Sequence, residues 1–305
     1  MSPITMRRAG ALRGQSGFSL VELMVSLLVG LMVVGALMAT YYSMSVSGRQ
    51  GQAMSQITED ASLALNMLRG QVAQAAYSRP IAAPAGTSFT RAYTGAAIAG
   101  CDGDFTDPSV AIGALTCVSN TGSDTLTDSL AVAYEADTSN SVASGGVPLD
   151  CLGNALAYTG VAPSGYYLNY SRFYLATSKV STRKSLYCRG PGSASGQALV
   201  ENVEDLQVLY GVTNTLAPLV PPAQVDAYVK ASAFPYVNPL AAAQMVTMAN
   251  VISVRLCITV ASTDEVLEEA TAYRNCQNTS VTPSDRRIYR TFRSTVLLPN
   301  RLGPV

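Results

Sequence analysis

Residues 18–42 are the part of this sequence that most restricts the fold. They read FSLVELMVSLLVGLMVVGALMATYY and carry a single charge, Glu22. A helix rises 1.5 Å per residue, so about 20 apolar residues cross a hydrocarbon core about 30 Å thick. Arg7, Arg8 and Arg13 precede the segment, and positive charge stays on the cytoplasmic side of a membrane. The segment is therefore predicted to be a membrane helix whose amino terminus lies inside the cell.

Three interpretations of this segment compete. A secretory signal peptide would use Val34 and Ala36 as its cleavage site, but the apolar core of such a signal is only about 7–15 residues long. A plain uncleaved anchor is the second interpretation. The third gives Glu22 a role, because a lone carboxylate at the centre of a membrane helix costs about 2.5–3.5 kcal/mol, and such residues usually have a partner and a function. The alternative for Glu22 is that its side chain simply reaches back to the lipid headgroups.

Residues 17–22, GFSLVE, follow a short basic leader and resemble the class III signal of type IV prepilins and type II secretion pseudopilins. The resemblance implies that residues 1–17 are a leader, that a prepilin peptidase cleaves after Gly17, and that the new terminal residue, Phe18, is methylated. The apolar segment 18–42 then stays as anchor and assembly element. Glu22 of one subunit is expected to pair with the freed amine of a neighbour, which removes the cost of a lone buried charge and favours one axial stagger.

The helix is predicted to continue past the membrane, since no proline occurs between Pro3 and Pro80. A helix from about residue 18 to 77 would be roughly 90 Å long, and its second half, residues 43–77, is amphipathic. Apolar residues recur there in steps of three and four, as on a helix that packs on a globular domain. These residues are Ile57, Ala61, Ala64, Leu65, Leu68, Val72 and Ala76. Gly48 and Gly51 weaken the junction by about 1 kcal/mol each relative to Ala, so a bend or local melting is expected there.

Residues 78–305 are predicted to be the globular domain, with an antiparallel β-sheet that packs on the helix. The predicted fold class is therefore α+β and pilin-like. Residues 78–165 are interpreted as loops and short strands, Leu199–Leu206 as a short helix or turn, and residues 213–248 as an irregular excursion. The strand candidates are Leu130–Tyr134, Tyr166–Ala176, Ser185–Arg189, Gln207–Val212, Val251–Ser262 and Arg287–Leu298.

Three carboxy-terminal segments, residues 199–212, 249–260 and 286–301, resemble the PilW type of minor pilin in content and order. The resemblance implies a protein of the bacterial inner membrane that primes assembly of a type IV pilus or lies at its tip, with its globular domain periplasmic and then extracellular. Its implied partners are other minor pilins, the major pilin, the prepilin peptidase and the inner-membrane assembly platform. A J-type minor pseudopilin of type II secretion and a tip adhesin that uses residues 78–198 are the alternatives.

The cysteine pattern favours disulfides in an oxidising compartment, because six cysteines follow the membrane segment and none forms a CxxC pair. Of the fifteen possible connectivities, pairing of sequence neighbours is the prediction. The predicted pairs are Cys101–Cys117, Cys151–Cys188 and Cys257–Cys276. Buried free thiols are the alternative, with Cys257 the first exception to expect because it lies inside a strand-like run.

The sequence gives little support to an enzyme, and no cofactor is expected. The chain has no histidine, the commonest general base. Ser181 and Lys184 match the S-x-x-K spacing of acyl enzymes without the companion motifs. Asp102, Asp104 and Asp107 form a weak calcium candidate, but Gly113 stands where an EF-hand has its glutamate, and an Asx-rich turn is preferred. A net charge of zero argues against nucleic acid as a partner.

Overall fold

The computed structural model describes residues 17–82, 89–118, 126–161, 165–177, 183–213, 224–237 and 245–301. The chain divides into two compact units, Met1–Gln50 and Gly51–Val305. A single helix, α1, spans Leu20–Gln74 and contributes to both. The helix is continuous through Gly48 and Gly51, so the local melting expected there is absent.

In the second unit, α1 buries one stripe of small and branched apolar side chains. The spacing of three and four residues places them on one face of the helix. The buried residues are Ala53, Ile57, Ala61, Ala64, Leu68 and Val72. Except for Ala53 they were predicted from the sequence; of the remaining predicted positions, Leu65 and Ala76 are half-buried.

The carboxy-terminal end of α1 is held by residues that are remote in sequence. The helix ends at Gln74, slightly before the predicted residue 77, and Ala76 adopts a positive φ of 65°. The last carbonyl groups of a helix lack partners within it. Here the Asn300 amide donates to the carbonyl oxygens of Ala73, Gln74 and Ala75, each at 3.3 Å. Asn300, which is far from α1 in sequence, therefore caps the carboxy-terminal end of this helix.

The larger sheet has six antiparallel strands in the order β10-β9-β8-β4-β3, with β7 also paired to β8. The strands are β3 (Ile98–Cys101), β4 (Ser129–Ala136), β7 (Tyr158–Thr159), β8 (Tyr166–Thr177), β9 (Lys184–Arg189) and β10 (Gln197–Glu201). Strand β4 is buried along its whole length, because it lies between two neighbouring strands in the middle of the sheet.

The second sheet has four antiparallel strands in the order β12-β11-β15-β18. The strands are β11 (Val203–Val212), β12 (Ala227–Val229), β15 (Val251–Ala261) and β18 (Tyr289–Leu297). Strand β15 is central and almost entirely buried, whereas β18 is an edge strand with a largely half-exposed surface. The alternation of residues 287–298 in the sequence is typical of such a half-exposed antiparallel strand.

Four two-stranded hairpins complete the described structure. They are β1–β2 (Pro80–Ala82 and Phe89–Arg91), β5–β6 (Ala143–Ser144 and Val147–Pro148), β13–β14 (Tyr236–Val237 and Met245–Val246) and β16–β17 (Tyr273–Arg274 and Ser280–Val281). The described residues also contain four 3₁₀ turns, at Ile112–Ala114, Ala231–Ala233, Met248–Asn250 and Pro299–Arg301.

One sequence-based assignment is wrong. Leu199–Leu206 was expected to form a short helix or turn, but it forms most of β10 and the first part of β11. Asn202 separates the two strands with a positive φ of 59°. Parts of the predicted irregular excursion at 213–248 are also regular, since β12, β13 and β14 lie within it.

One core joins the stripe of α1 to both large sheets. Leu68 of the helix, Leu130 and Phe173 of the six-stranded sheet, and Leu206 and Leu256 of the four-stranded sheet belong to the same buried cluster. Burial of each such side chain contributes about 1.5–3 kcal/mol to folding. The fold class predicted from the sequence, a long helix packed on an antiparallel β domain, is therefore confirmed.

Three disulfides link neighbouring cysteines: Cys101–Cys117, Cys151–Cys188 and Cys257–Cys276. Cys257 is bonded although it lies within β15, as the preferred pairing of sequence neighbours predicted. Each bridge ties a loop or hairpin to a strand of one of the large sheets. Loop closures of 16 to 37 residues typically stabilise a fold by about 2–4 kcal/mol each.

Asp128 connects the two large sheets at the point where β4 begins. Its backbone N–H donates to the Leu206 carbonyl at 2.7 Å, and its carboxyl accepts from the Val208 N–H at 2.6 Å. Both partners lie in β11. Burial raises the pKa of the Asp128 carboxyl to about 8, and the charges of Asp102 and Asp205 add to this effect, while the Val208 N–H opposes it. The carboxyl is therefore largely protonated at neutral pH.

A raised pKa in the folded state makes stability depend on pH. The stabilising contribution of protonated Asp128 is complete below about pH 4, where the unfolded carboxyl is also protonated, and is lost as pH rises toward 8. Within that window Asp128 lowers the free energy of unfolding by about 1.4 kcal/mol per pH unit. Asp128→Asn should remove this component in urea unfolding of the Gly51–Val305 unit. The exposed Asp264→Asn is the control and should keep the wild-type slope; parallel curves for wild type and Asp128→Asn would contradict the assignment.

Candidate functional site

The first turn of α1 gathers the residues that the sequence singled out. Gly17, Phe18 and Ser19 precede the helix, and the Phe18 side chain is 79% exposed. Glu22 lies in the first turn and is also exposed. The predicted cleavage residue, the predicted terminus and the acid therefore lie next to one another at the amino-terminal end of the apolar segment.

Ser19 fixes the start of the helix. Its hydroxyl oxygen accepts from the Glu22 N–H at 3.2 Å, and its carbonyl accepts from the N–H groups of Glu22 and Leu23 at 3.1 and 3.2 Å. The Ser-x-x-Glu spacing is that of a capping box, in which a serine hydroxyl satisfies an N–H that the helix leaves unpaired. The cap defines the turn on which Glu22 is presented.

The helix dipole stabilises a negative charge at the position of Glu22, but by less than the cost of moving that charge into lipid. A carboxylate in the first turn gains about 0.3–1 kcal/mol from the helix dipole, which is less than the cost of a charge at the membrane centre. Along the chain, the next basic residue after Glu22 is Arg49, about 40 Å further along the helix axis. The described helix therefore offers no basic side chain near enough to pair with Glu22.

The hydroxyl groups within the apolar segment are satisfied by the helix itself. Ser26 donates to the Glu22 carbonyl at 2.7 Å and Thr40 donates to the Ala36 carbonyl at 2.9 Å. Such bonds let a polar side chain enter lipid at little cost. Gly30 and Gly35 leave the helix surface open, since no other side chain lies within 4 Å of where a Cβ would be. Small residues of this kind permit close approach of a second helix in a membrane.

α1 is the one helix in the described residues that is long and apolar enough to cross a membrane, judged by length and composition. Its large apolar side chains from Leu20 to Met44 are exposed all round. This agrees with the membrane segment that the sequence predicted at 18–42.

The calcium candidate does not form a metal-binding group. The Asp102 carboxylate accepts from the backbone N–H groups of Ala231 and Ser232, at 2.9 and 3.2 Å. The carboxylate of Asp107 accepts from the Ser109 N–H, which together with the Ser109 side chain lowers its pKa, whereas burial raises the pKa of Asp104. Across the part of the chain that the structure describes, no three acidic, cysteine or histidine residues are placed to hold a metal ion.

In the S-x-x-K pattern, Ser181 lies outside the described residues, and Lys184 is the first residue of β9. Sequence reasoning missed the helix cap at Ser19. The S-x-x-E spacing that precedes the apolar run was the signal that could have identified it.

Two family models match the chain. One, described as the type IV pilus-assembly protein W, matches residues 172–300, which include β9, β10 and the whole four-stranded sheet. The other, the prokaryotic N-terminal methylation motif, matches residues 12–38 and so includes residues 17–22. The chain is therefore similar to type IV pilin-like proteins of the PilW type over residues 12–38 and 172–300. The methylation motif and the PilW region are the two parts in which the sequence resembled that family, and neither model describes a catalytic family.

Among solved structures, the chain is similar to a type IV-like pilin from Thermus thermophilus, with 10% sequence identity. The match covers 80% of this chain and 98% of the other, with a TM-score of 0.38. No curated protein matches the sequence.

The cap predicts a measurable effect of substitution at Ser19. Ser19→Ala removes the acceptor for the Glu22 N–H and should weaken the first turn by about 1 kcal/mol. Amide hydrogen exchange of Glu22 in detergent micelles should then be about fivefold faster. Ser26→Ala is the matched control, because the Ser26 hydroxyl donates to a carbonyl that already accepts within the helix. Equal exchange rates in wild type and Ser19→Ala would show that the cap does not hold the turn.

Proposed function

We propose that this chain is a minor pilin that primes the assembly of type IV pili or lies at their tip. The observation that carries the proposal is the position of Glu22. It is the only charge in an apolar segment of 25 residues, it sits on a serine-capped first turn, and only Ser19, Leu20 and Val21 separate it from Phe18. The match of residues 12–38 to the methylation motif supports the same interpretation.

In the proposed mechanism, a prepilin peptidase hydrolyses the peptide bond between Gly17 and Phe18 on the cytoplasmic side of the inner membrane. The leader, residues 1–17, leaves, and Phe18 gains a free amine that is then methylated and stays positively charged. Residues 18–42 remain in the membrane. Glu22 then pairs with the terminal amine of an adjoining subunit, and the ion pair removes the cost of both charges in an apolar environment.

This pairing fixes how far one helix slides along another. An apolar helix surface alone offers little preference among axial positions, because lipid chains and leucine side chains are equally apolar. A single buried ion pair, by contrast, penalises every register in which a charge is left alone. Glu22 would therefore act mainly by fixing the axial register between neighbouring helices. Gly30 and Gly35 would allow the close approach of the helices that such packing requires.

The globular unit is proposed to lie in the periplasm and then in the extracellular fibre. Its three disulfides suit an oxidising compartment, and the described cysteines include no free thiol. The proposed partners are other minor pilins, the major pilin, the peptidase and the inner-membrane assembly platform. A J-type pseudopilin of type II secretion would share the amino-terminal signal. The match of residues 172–300 to a pilus-assembly model supports the pilus.

The role of Glu22 can be tested by substitution in the native host. Glu22→Ala should leave leader removal largely intact, since the cleavage residue is unchanged, but should strongly reduce the amount of the protein in sheared pili. Immunoblots of the envelope and of the pilus fraction measure the two effects separately. Glu59→Ala is the matched control, because it removes an exposed carboxylate from the same helix within the globular unit. The proposed pairing would be wrong if Glu22→Ala enters the pilus as well as wild type does.

A further inference from the structure

A depression of about 430 Å³ lies beside the carboxy-terminal end of α1, between the hairpin β1–β2 and the last described residues of the chain. Its main lining residues are Ala76, Phe89, Arg91, Tyr93, Thr94 and Arg301. Two of these side chains are basic, and none of the described residues that line the depression is acidic. The depression therefore carries positive charge.

Arg91 is oriented by backbone carbonyl groups. Its Nη1 donates to the Ala76 carbonyl at 3.0 Å and to the Asn300 carbonyl at 3.2 Å. Within the described ranges, its Nε and Nη2 groups have no hydrogen-bond partner, they are not buried, and the guanidinium forms no ion pair. These N–H groups are therefore available to a ligand in the depression.

Arg301 is a half-buried cation that is oriented in the same way. Its Nη1 donates to the carbonyls of Met248, Ala249 and Val251 at 2.6, 2.9 and 3.3 Å. Burial lowers the pKa of Arg301 to about 10, and Tyr93 opposes this effect. A neighbouring carboxylate would instead raise the pKa. Tyr93 is not a counter-ion, because burial raises the pKa of its hydroxyl to about 12.

The backbone carbonyls satisfy hydrogen bonds of the two arginines but not their charge. A carbonyl group is neutral, and a cation that is partly removed from water is normally paired with an anion. Among the residues that the structure describes, no carboxylate fills that role for Arg91 or Arg301. An anion from outside the chain would compensate both charges.

An exposed aromatic ring lies beside these cations. Phe89 and Arg91 are two residues apart on β2, so their side chains leave the same face of the hairpin. The Phe89 side chain is 58% exposed. Guanidinium groups bind carboxylates through parallel hydrogen bonds, and aromatic rings pack well against other rings. An inorganic anion would contact the arginines but leave the Phe89 ring in water.

We propose that this depression binds an organic carboxylate whose acid group is attached to an aromatic group. The available N–H groups of Arg91 and Arg301 donate to the carboxylate, and Phe89 packs against the ligand ring. A free aromatic acid and the carboxyl terminus of a polypeptide that ends in an aromatic residue share this chemistry. The site consists of residues between 76 and 97 together with Arg301, and it does not depend on the proposed role of Glu22.

The test is calorimetric titration of the full chain in detergent micelles with 3-phenylpropionate and with N-acetyl-phenylalanine, with empty micelles as the blank. Binding should be saturable and should weaken as salt is raised. Thr94 is exposed and lines the depression. Thr94→Asp places a carboxylate there without breaking an observed hydrogen bond, and should reduce the affinity about tenfold. Thr94→Asn, which has the same size without the charge, should leave the affinity unchanged.

Phe89→Ala tests the aromatic contact separately. The side chain is exposed, so its removal should not disturb the fold, and the affinity should fall about fivefold through lost apolar burial. The dependence of binding on salt should stay as in the wild type, because both arginines remain.

Four results would overturn the proposal. They are an absence of heat above the blank at millimolar ligand, equal affinity for the neutral amide of N-acetyl-phenylalanine, equal affinities of Thr94→Asp and Thr94→Asn, and unchanged affinity in Phe89→Ala. Tighter binding of N-acetyl-phenylalanine would support a polypeptide terminus as the source of the carboxylate. Tighter binding of 3-phenylpropionate would support a free acid, and either result supports the site.

Discussion

A lone carboxylate in a helix that is apolar on every side is the constraint on which the rest of this molecule depends. Ser26 and Thr40 satisfy their own hydroxyl groups by bonding back to the helix. Glu22 has no such solution, because no basic residue follows it before Arg49. The segment from Phe18 to Tyr42 therefore combines strong affinity for lipid or other apolar helices with one specific demand for a cation. That combination suits a subunit which waits in a membrane and then joins its neighbours in a defined register.

The same helix meets a different constraint in the globular unit. From Ala53 onward, one face is buried against two antiparallel sheets, and the chain uses its own distant segments to complete the helix. Asn300 caps the last turn, and Arg91 donates to the Ala76 carbonyl at 3.0 Å. Asp128 ties the beginning of β4 to β11, and the disulfides fix loops against the sheets. The second half of α1 thus depends on contacts with residues that are remote in sequence. The membrane character of the first half, by contrast, follows from its amino-acid composition alone.

The features that the sequence predicted well are those with a strong local pattern. The apolar run, the stripe of α1 and the alternation in β18 each follow from a periodicity of side chains. The residues around Asn202 were misassigned because acidic residues among apolar ones imitate a short amphipathic helix. In the structure Val203 and Leu206 are buried in β11, and a bulge between Val203 and Asp205 shifts the register. Tertiary packing decided the conformation of that segment.

Parts of the candidate sites could be predicted and parts could not. Residues 17–22 carry their information in consecutive positions, so the sequence alone was enough to predict cleavage after Gly17 and a pairing role for Glu22, and both stay predictions. The surroundings of the calcium candidate could not be predicted, because the Asp102 carboxylate accepts from the N–H groups of Ala231 and Ser232, which are remote in sequence.

The most direct test of the central claim is mass spectrometry of the protein purified from its native envelope. The account predicts a mature chain that begins with N-methylated Phe18 and contains no free thiol. A chain that begins at any other residue, whether Met1 or a position after Ala36, would contradict it.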